Sequence, residues 1–483
     1  MAQASDFLSL YQIRNAGTPS TEPGLSAHFV GICGAGMNAL ASMLLDLGWS
    51  VTGSDLHPTE PLSQDFSRRG VKVQRGHDPC HLPPRTDVLV YSAAIPVNNP
   101  EREAARSLNI PEMAYSRMLG ELMRSRRGVC IAGTHGKSTT AAMVASILLK
   151  SGREPSACIG AELCELGKSG WAGSGDLLVV ESCEYRHSFL DLSPTCAAIL
   201  SVEPDHFDCF REFGETCEAF HQFAARVLPT GFLVVRGDCA AAVAAARGSS
   251  ARVETFSLAT GSDWCASELR PTADGIRFAA FRGGAFFSEF SLMVPGRHNV
   301  LNALAAIALC HHLGVSSDEM VSSLARFAGV RRRFEHRGTW RGVTLLDDYA
   351  HHPTEVQATL KAARERFGCR RLWCVFQPHQ VSRTRALFRE FAESFTLADE
   401  LLVAPVYAAR ETSDTNGGFI ANELALTVAA AGVHARFCPD LDRIMATLED
   451  EARPGDVVMT MGAGDIDRVH HEFTRPLQRH RAS

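Results

Sequence analysis

Short apolar runs alternate with amphipathic segments along most of the chain. The first unit, "AHFVGICGAGMNALASMLLDLGWSVTGSD", predicts a strand, a glycine-rich turn, a helix and a second strand that ends at Asp55. Later runs such as "VLVY" and "LLVVE" have the length and β-branched content of buried strands, and helical patterns separate them. Alternating strands and helices predict an α/β protein with parallel sheets.

The pattern divides the chain into three blocks. A chain of 483 residues is too long for one ordinary core. The joints predict domains at residues 26–126, 127–330 and 331–483. Within the second block, the stretch that begins "VETFSLATG" alternates in short runs and predicts antiparallel hairpins.

Composition removes several classes of function. The formal net charge of −6 gives no electrostatic case for nucleic acid or an anionic membrane surface. Residues 1–24 lack the pattern of a secretory signal and are expected to be a flexible leader, and no apolar segment is long enough to span a membrane. The 15 cysteines lack a C-x-x-C pair, which favours reduced core thiols of a cytoplasmic protein.

A candidate phosphate loop opens the second block. "GVCIAGTHGKSTTAAMV" predicts a strand, a tight loop and an alanine-rich helix, and Gly133-x-x-Gly136-Lys137-Ser138 shortens the usual phosphate-loop spacing by two residues. Main-chain N–H groups at a helix start favour anions. Lys137 can neutralise the outer phosphates of ATP and Ser138 can ligate Mg²⁺. The alternative is a glycine-rich turn with an exposed lysine.

A second glycine-rich turn precedes it. Gly34-x-Gly36-x-x-Ala39 follows a strand, and Asp55 lies 19 residues beyond Gly36, which is the pattern of a dinucleotide fingerprint. Taken alone, this pattern favours an NAD-dependent oxidoreductase. The diphosphate of UDP would fit the same turn, and a plain turn without a ligand stays possible.

Two strand ends of the second block carry candidate metal ligands. Glu184 follows "LLVVESC" and His206 follows "AAILSVEPD". Ligands bind beyond the carboxyl ends of parallel strands, so the pair could hold Mg²⁺, or Mn²⁺ because of the imidazole. The alternatives are that Glu184 pairs with Arg186 and that Asp205 caps a turn.

Helix starts and joints supply further candidates. In "GRHNVLNALAA", Asn299 could contact adenine, although capping the helix is the better interpretation of the pattern. In "RRRFE", one of three arginines, Arg331 to Arg333, could reach a γ-phosphate, the other two being solvated linker.

The third block gathers polar residues at two strand ends, which predicts a substrate site. These are Asp347, Asp348, Tyr349, His351, His352, His379, Arg383 and Arg385. A metal site on His351 and His352 is less favoured, since adjacent side chains point apart. Isolated histidines such as His311, His312 and His434 are expected to be structural or exposed.

Together these segments resemble the Mur ligase family over about residues 26–470. The segments that carry the resemblance are "GICGAGM", "SAAIP", "AGTHGKSTT", "ESCEYRHSFL", "EPDHFD", "GRHNVLNALAA", "RRRFE", "DDYAHHPTEV", "FQPHQVSRT" and "GAGD". The resemblance implies a Rossmann-like UDP-binding domain, a P-loop ATPase-type central domain and a Rossmann-like amino-acid-binding domain. It implies ATP-dependent ligation of L-alanine to UDP-N-acetylmuramate through an acyl phosphate, in cytoplasmic peptidoglycan precursor synthesis.

The resemblance also implies roles for particular residues. UDP would lie on Gly34, Ala35, Gly36, Met37, Asp55 and Ser92. ATP would contact Gly133, Thr134, His135, Gly136, Lys137, Ser138, Thr139, His298, Asn299, Arg333 and Asp348. Two Mg²⁺ sites would use Ser138, Glu184 and His206, and the amino-acid site would use Tyr349, His351, His379 and Arg383. The catalytic set would be Lys137, Glu184, His206, His351, His379 and Arg383.

The chain departs from the family pattern at three points. Cys183 stands where members often have an acidic residue, Gln380 stands where many have arginine, and "CEAFHQFAARV" lacks the lysine of ligases that add later amino acids. The lack of that lysine fits the alanine-adding type. Alternatives are a murein-recycling ligase that adds a preformed tripeptide, the oxidoreductase, and a nucleotide-binding protein without catalysis. A monomer or weak homodimer is expected.

Overall fold

The computed structural model describes residues 24–409, 411 and 417–474. Apart from Gly24, the predicted leader lies outside these residues, as do residues 475–483 of the predicted third domain. Three separate sheets fall within the three predicted ranges, which agrees with the predicted class of three α/β units. The domain boundaries themselves stay predictions.

The N-terminal unit is a five-stranded parallel sheet in the order β3-β2-β1-β4-β5. This doubly wound order has its switch point between β1 and β4, where ligands of such sheets bind. Its elements are β1 (Ser26–Val30), α1 (Ala35–Asp46), β2 (Ser50–Asp55), α2 (Glu60–Arg68), β3 (Val73–Arg75), a 3₁₀ turn (Pro79–His81), β4 (Val88–Tyr91), α3 (Pro100–Ser107), β5 (Glu112–Ala114) and α4 (Tyr115–Met123).

The central unit is a ten-stranded mixed sheet in the order β15-β14-β13-β12-β11-β10-β6-β9-β7-β8. Its elements are β6 (Arg127–Ala132), α5 (Lys137–Lys150), β7 (Ser156–Leu163), β8 (Lys168–Trp171), β9 (Leu177–Glu181), a 3₁₀ segment (Tyr185–Asp191), β10 (Cys196–Ile199), α6 (Phe213–Ala225), β11 (Phe232–Arg236), α7 (Ala240–Ala246), β12 (Arg252–Ser257), β13 (Trp264–Thr272), β14 (Gly275–Arg282), β15 (Ala285–Leu292), α8 (Arg297–His312) and α9 (Ser317–Leu324). The hairpin prediction holds for β13, β14 and β15, which pair antiparallel. It is wrong for β12, which pairs parallel with β11 and extends the parallel core.

The C-terminal unit is a six-stranded sheet in the order β16-β17-β21-β18-β19-β20, with an antiparallel edge at β16. Its elements are β16 (Glu335–Trp340), β17 (Val343–Asp348), α10 (Pro353–Phe367), β18 (Leu372–Phe376), α11 (Val381–Ala386), α12 (Phe388–Ser394), β19 (Glu400–Val403), α13 (Gly417–Ala430), β20 (His434–Phe437), α14 (Leu441–Glu451), β21 (Val457–Met461) and α15 (Arg468–Thr474).

Apolar packing joins the N-terminal and central units to each other more closely than it joins either of them to the C-terminal unit. One continuous hydrophobic cluster runs from Leu40 on α1 through Met118 on α4 to Phe189 and Phe223 in the central unit. The contact is so close that a Cβ on Gly170 of β8 would lie 1.9 Å from the carbonyl oxygen of Ala39. The C-terminal unit instead buries its own two clusters, one on each face of its sheet.

Helix α8 is almost completely buried in the central unit. Its side chains are buried almost around its full circumference because it packs between the sheet and α5. Gly314 follows its end with φ +79°, and its N–H donates to the carbonyl of His311, which is the geometry of a helix that ends at a glycine. Among the described helices, none combines the length and apolar character needed to cross a membrane.

Candidate functional site

The three units meet at one cleft of about 2270 Å³, a volume that includes space open to solvent. Every unit contributes residues that the sequence singled out. The lining includes Gly34, Ala35, Gly36, Met37 and Ser92 of the first unit; Thr134, Gly136, Lys137, Ser138, Glu181, Cys183, Asp205 and His206 of the second; and Tyr349, His351, His379, Gln380 and Arg383 of the third, together with the joint arginines Arg331, Arg332 and Arg333.

The predicted phosphate loop lies between β6 and α5 as expected. Gly136 precedes the helix with φ +80°, a left-handed conformation that favours glycine. A Cβ at this position would also lie 2.4 Å from Asn302 Oδ1 of α8, so glycine is required twice over. The turn leaves the first N–H groups of α5 facing the cleft, where they can bind an anion.

Lys137 lies at the start of that helix and forms an ion pair with Glu184. Its Nζ is 2.9 Å from Glu184 Oε2, and His206 Nε2 is 3.6 Å from Glu184 Oε1. Burial disfavours the charged carboxylate of Glu184, but the positive charge of Lys137 and the hydrogen bond and charge of His206 outweigh burial and lower the pKa of Glu184 to about 2. The predicted pairing of Glu184 with Arg186 is therefore wrong: Arg186 donates to the carbonyl of Ala93 instead.

His206 carries a positive charge for the same reason. Burial opposes the charge, yet hydrogen bonding to Cys183 and Glu184 and the nearby Asp205 raise the pKa of His206 to about 10. One donor atom each from Cys183, Glu184 and His206 lies within 4.8 Å of the others. A buried carboxylate that is balanced only by cations marks a place for positive charge, and the donors of Glu184 and Ser138 suit Mg²⁺. The residues present fit the metal that the sequence predicts.

A buried ion pair ties the third unit to this cluster. Arg383 Nε donates to Asp205 Oδ1 at 2.7 Å, and both side chains are almost fully buried. Asp205 also accepts a hydrogen bond from the main-chain N–H of His206 at 2.7 Å. The predicted turn contact is therefore present, in addition to the ion pair with Arg383. Burial disfavours the carboxylate, but the charges of His206 and Arg383 keep the pKa of Asp205 well below its usual range.

His351 and His379 of the third unit have opposite tautomers. Arg383 Nη1 donates to His379 Nδ1 at 2.9 Å, so the proton of neutral His379 is on Nε2. His351 Nδ1 is 2.9 Å from the carbonyl oxygen of Tyr349 and must donate to it, so His351 Nε2 keeps its lone pair. Burial lowers the pKa of His351 to about 4, and His351 is therefore neutral at pH 7.

A second pocket of about 880 Å³ adjoins the phosphate loop and collects most of the predicted ATP set. His135, Gly136, Thr139, His298, Asn299, Arg333 and Asp348 line it. The expectation that Asn299 caps α8 is wrong, because Gly296 holds that position and Asn299 Nδ2 donates to the carbonyl of Pro295 at 2.7 Å. Burial raises the pKa of Asp348 to about 6 and lowers that of His298 to about 4.

The glycine-rich turn of the first unit reaches the cleft, whereas Asp55 does not line it. Asp55 Oδ2 accepts from the N–H of Cys33 at 2.9 Å, and Oδ1 accepts from that of His57 at 3.0 Å. Asp55 therefore orders the turn. Gly36 faces Tyr115, whose ring carbon would lie 2.7 Å from an added Cβ.

The solvated-linker prediction fits Arg331, whose side chain is 50% exposed, but not Arg332, which is 23% exposed and pairs within the third unit. Arg331 pairs with Glu335 at 2.5 Å, and Arg332 pairs with Asp347 at 3.3 Å. Arg333 lines both cavities, and its Nη1 is 3.8 Å from Glu355.

Sequence reasoning missed Glu203, Thr354 and Glu355, which lie beside the phosphate loop. His135 Nδ1 is 3.1 Å from Glu355 Oε1, and Thr354 Oγ1 donates to Glu203 Oε2 at 2.7 Å. Glu355 also accepts from the N–H of His351 at 3.1 Å. The segments "EPDHFD" and "HHPTE" contain these residues, but nothing in either segment alone indicates that they meet.

Comparison with known proteins now places the fold and cleft in a family. Residues 26–127 match the model described as Mur ligase family, catalytic domain; residues 131–310 match the Mur ligase middle domain; and residues 332–464 match the model described as Mur ligase, glutamate ligase domain. The chain belongs to the Mur ligase family.

Individual relatives span nearly the whole chain. The UDP-N-acetylmuramate–L-alanine ligase of Desulfitobacterium hafniense is 39% identical over 92% of this chain and 98% of its own, and that of Sorangium cellulosum is 41% identical over 91% and 94%. The crystal structure of the UDP-N-acetylmuramate–alanine ligase of Thermotoga maritima matches with a TM-score of 0.80 at 26% identity over 93% and 98%. A murein peptide ligase of Psychrobacter arcticus matches with 0.72 at 27% identity over the same shares.

Proposed function

We propose that this chain joins L-alanine to UDP-N-acetylmuramate with cleavage of ATP, giving UDP-N-acetylmuramoyl-L-alanine, ADP and phosphate in peptidoglycan synthesis. The observation that best supports this proposal is that residues from all three units line a single cleft. They are the glycine-rich turn of the first unit, Lys137 on the phosphate loop, and His351, His379 and Arg383 of the third unit. Relatives named for this activity cover more than nine-tenths of the chain.

The first step activates a poor electrophile. A lactyl carboxylate oxygen attacks the γ-phosphorus of ATP, the bond to the β,γ-bridging oxygen breaks, and ADP leaves from an acyl phosphate. Lys137 and Arg333 supply positive charge to the transferring group, and the N–H groups at the start of α5 hold the phosphates. Ser138, Glu184 and, once it has lost its proton, His206 would hold Mg²⁺, which when bound neutralises charge on the phosphate oxygens.

The second step forms the amide. The neutral amine of L-alanine attacks the carbonyl carbon, the carbon–oxygen bond to phosphate breaks, and phosphate leaves with the electron pair. One amine proton must be removed. His351 Nε2 has the lone pair to accept it, whereas His379 presents an N–H at Nε2 and suits a donor to the acyl oxygen. His351 is thus the base and His379 the hydrogen-bond donor.

Each unit supplies part of the site, so the reaction requires all three units to be in contact around the cleft, as they are in this structure. Arg383 reaches Asp205 and Glu355 reaches His135 across the same boundary. Closure of this kind excludes water from the acyl phosphate, which would otherwise hydrolyse.

The test is phosphate release from Mg-ATP with UDP-N-acetylmuramate, with L-alanine, glycine, L-serine or the preformed tripeptide added separately. Release that depends on L-alanine, with the mass of the alanyl product, supports the proposal. Release only with the tripeptide would assign the chain to recycling. No release with any acceptor from folded, nucleotide-binding protein would contradict a ligase function. Selectivity against glycine is expected to be modest, since one methyl group is worth only about 1–3 kcal/mol.

A further inference from the structure

Three side chains beside the phosphate loop form a compact cluster that has no catalytic part in the proposed ligase mechanism, although His135 also lines the second pocket. The His135–Glu203–His352 cluster takes its first two members from the central unit and its third from the residue that caps α10. His135 Nε2 is 3.4 Å from Glu203 Oε2, and His352 Nδ1 is 4.0 Å from the same oxygen. One donor atom from each lies within 4.8 Å of the other two.

These separations suit a tetrahedral metal ion. With zinc–nitrogen bonds of about 2.0–2.1 Å, two ligand atoms of a tetrahedral site lie about 3.3 Å apart, so the 3.4 Å pair is already in place and His352 needs only a small shift. His135 Nε2 is buried and makes no hydrogen bond among the described residues, which leaves this atom directed at the cluster. Glu203 keeps 30% of its side chain exposed, which gives an ion a route from solvent.

The surroundings orient the imidazoles as metal ligands are oriented. Metal-bound histidines usually donate their second N–H to a carboxylate or carbonyl. His135 Nδ1 faces Glu355 Oε1 at 3.1 Å, and His352 Nε2 faces the carbonyl oxygen of Pro204 at 3.3 Å. In both rings the other nitrogen is the one that points into the cluster, although His352 Nδ1 also accepts from the N–H of Thr354 at 3.3 Å.

Charge and donor type select the ion. Two carboxylates, Glu203 and Glu355, lie around the two imidazoles, so a divalent cation that displaces the proton of His135 would balance their charge. Two nitrogens and one carboxylate oxygen are the donors that Zn²⁺ prefers, whereas Mg²⁺ favours oxygen ligands. We propose that His135, Glu203 and His352 bind a Zn²⁺-class divalent cation, separate from the Mg²⁺ sites at Glu184.

Such an ion would connect two units of the protein. His135 and Glu203 belong to the central unit, and His352 begins the helix that follows β17 of the C-terminal unit. A bound Zn²⁺ therefore holds the C-terminal unit against the phosphate loop. Because turnover needs that boundary to open and close, Zn²⁺ bound here slows catalysis even when Mg²⁺ is saturating.

The test counts Zn²⁺ bound to the full-length protein by competition with a chromogenic chelator. His352→Asn removes one ligand and keeps a good helix cap, and Glu203→Gln removes the charged ligand with little change of shape. Each variant is expected to bind one equivalent fewer than the wild type. The control is His312→Asn, since His312 pairs with Glu254 at 2.8 Å away from the cluster and its loss should leave the count unchanged.

Two further measurements separate this site from the Cys183–Glu184–His206 set. Co²⁺ bound at the cluster should give a tetrahedral visible spectrum without a thiolate charge-transfer band, and that spectrum should persist in Cys183→Ser. Zn²⁺ should raise the melting temperature of the wild type more than that of His352→Asn. If both cluster variants bind as much Zn²⁺ as the wild type, the proposal is wrong, and His135 serves only as an ion-paired link between Glu203 and Glu355.

Discussion

Arg383 and Asp205 form a buried ion pair across the boundary between the C-terminal and central units, with 2.7 Å between Arg383 Nε and Asp205 Oδ1. Asp205→Asn leaves the guanidinium buried without its counter-charge. Breaking a buried pair in this way costs about 3–5 kcal/mol, so we expect a loss of that size in the free energy of unfolding by urea, together with loss of ligase activity.

The control for this prediction is Asp238→Asn. Its partner Arg236 is 2.6 Å away, but the pair lies at the surface, and such pairs contribute about 0–1 kcal/mol. Equal losses in the two variants would show that the Arg383–Asp205 pair is no stronger than a surface pair.

Substitutions at Lys137 and Glu184 should separate the effect of the ion pair on activity from its effect on stability. Lys137→Met is expected to reduce kcat by about 10³-fold or more, because it removes a charge from the transferring phosphoryl group. It also leaves the buried Glu184 carboxylate with His206 alone, so the melting temperature should fall. The double variant Lys137→Met with Glu184→Gln should recover the melting temperature without recovering activity. Recovery of neither would mean that the pair does not set local stability.

The two histidine tautomers predict unequal effects of substitution. His351→Asn keeps a donor for the Tyr349 carbonyl but removes the base at Nε2, and general-base catalysis contributes about 10²–10⁴-fold. His379→Gln keeps an N–H near the position of Nε2 and should cost less than about tenfold on the same scale. The measurement is kcat at saturating substrates. A larger loss of kcat in His379→Gln than in His351→Asn would indicate that His379 is the base and His351 the hydrogen-bond donor.

Gly170 should be intolerant of any side chain. An alanine Cβ there would lie 1.9 Å from the Ala39 carbonyl oxygen and 2.5 Å from its Cα, and backbone atoms cannot yield as a flexible side chain does. Gly170→Ala is expected to lower the melting temperature and raise KM for UDP-N-acetylmuramate, because α1 begins at the glycine-rich turn. Gly214→Ala is the control: a Cβ there meets nothing within 4 Å, and alanine favours the helix.

Stability should fall on both sides of neutral pH. Burial lowers the pKa of His298, His351 and His470 to about 4, so their contribution is complete above the unfolded value near 6.5 and is lost as pH falls toward 4. Carboxylate partners raise the pKa of His135 to about 9 despite burial, and this contribution is lost as pH rises from about 6.5 to 9. Melting temperature against pH tests both signs. His470→Gln should flatten the acid side alone.

The sequence predicted the parts of the site that follow from local order. The phosphate loop is a continuous strand, turn and helix. Glu184 and His206 lie in the segments that follow β9 and β10, which flank β6 in a parallel arrangement, so that their carboxyl ends meet at one edge. What it could not predict are contacts between distant positions. His135 and Glu355 are 220 residues apart, and Asp205 and Arg383 are 178 apart. Periodicity describes one element at a time and carries no information about such pairs.

The unequal sharing of hydrophobic cores has a consequence for how the molecule loses its structure. The N-terminal and central units bury one common cluster, while the C-terminal unit buries two of its own and meets the others mainly through polar pairs. We therefore expect two cooperative unfolding units where three sheets are seen. The boundary between them lies at the cleft, so the partial unfolding that exposes amide protons to exchange also separates His351 and His379 from the phosphate loop.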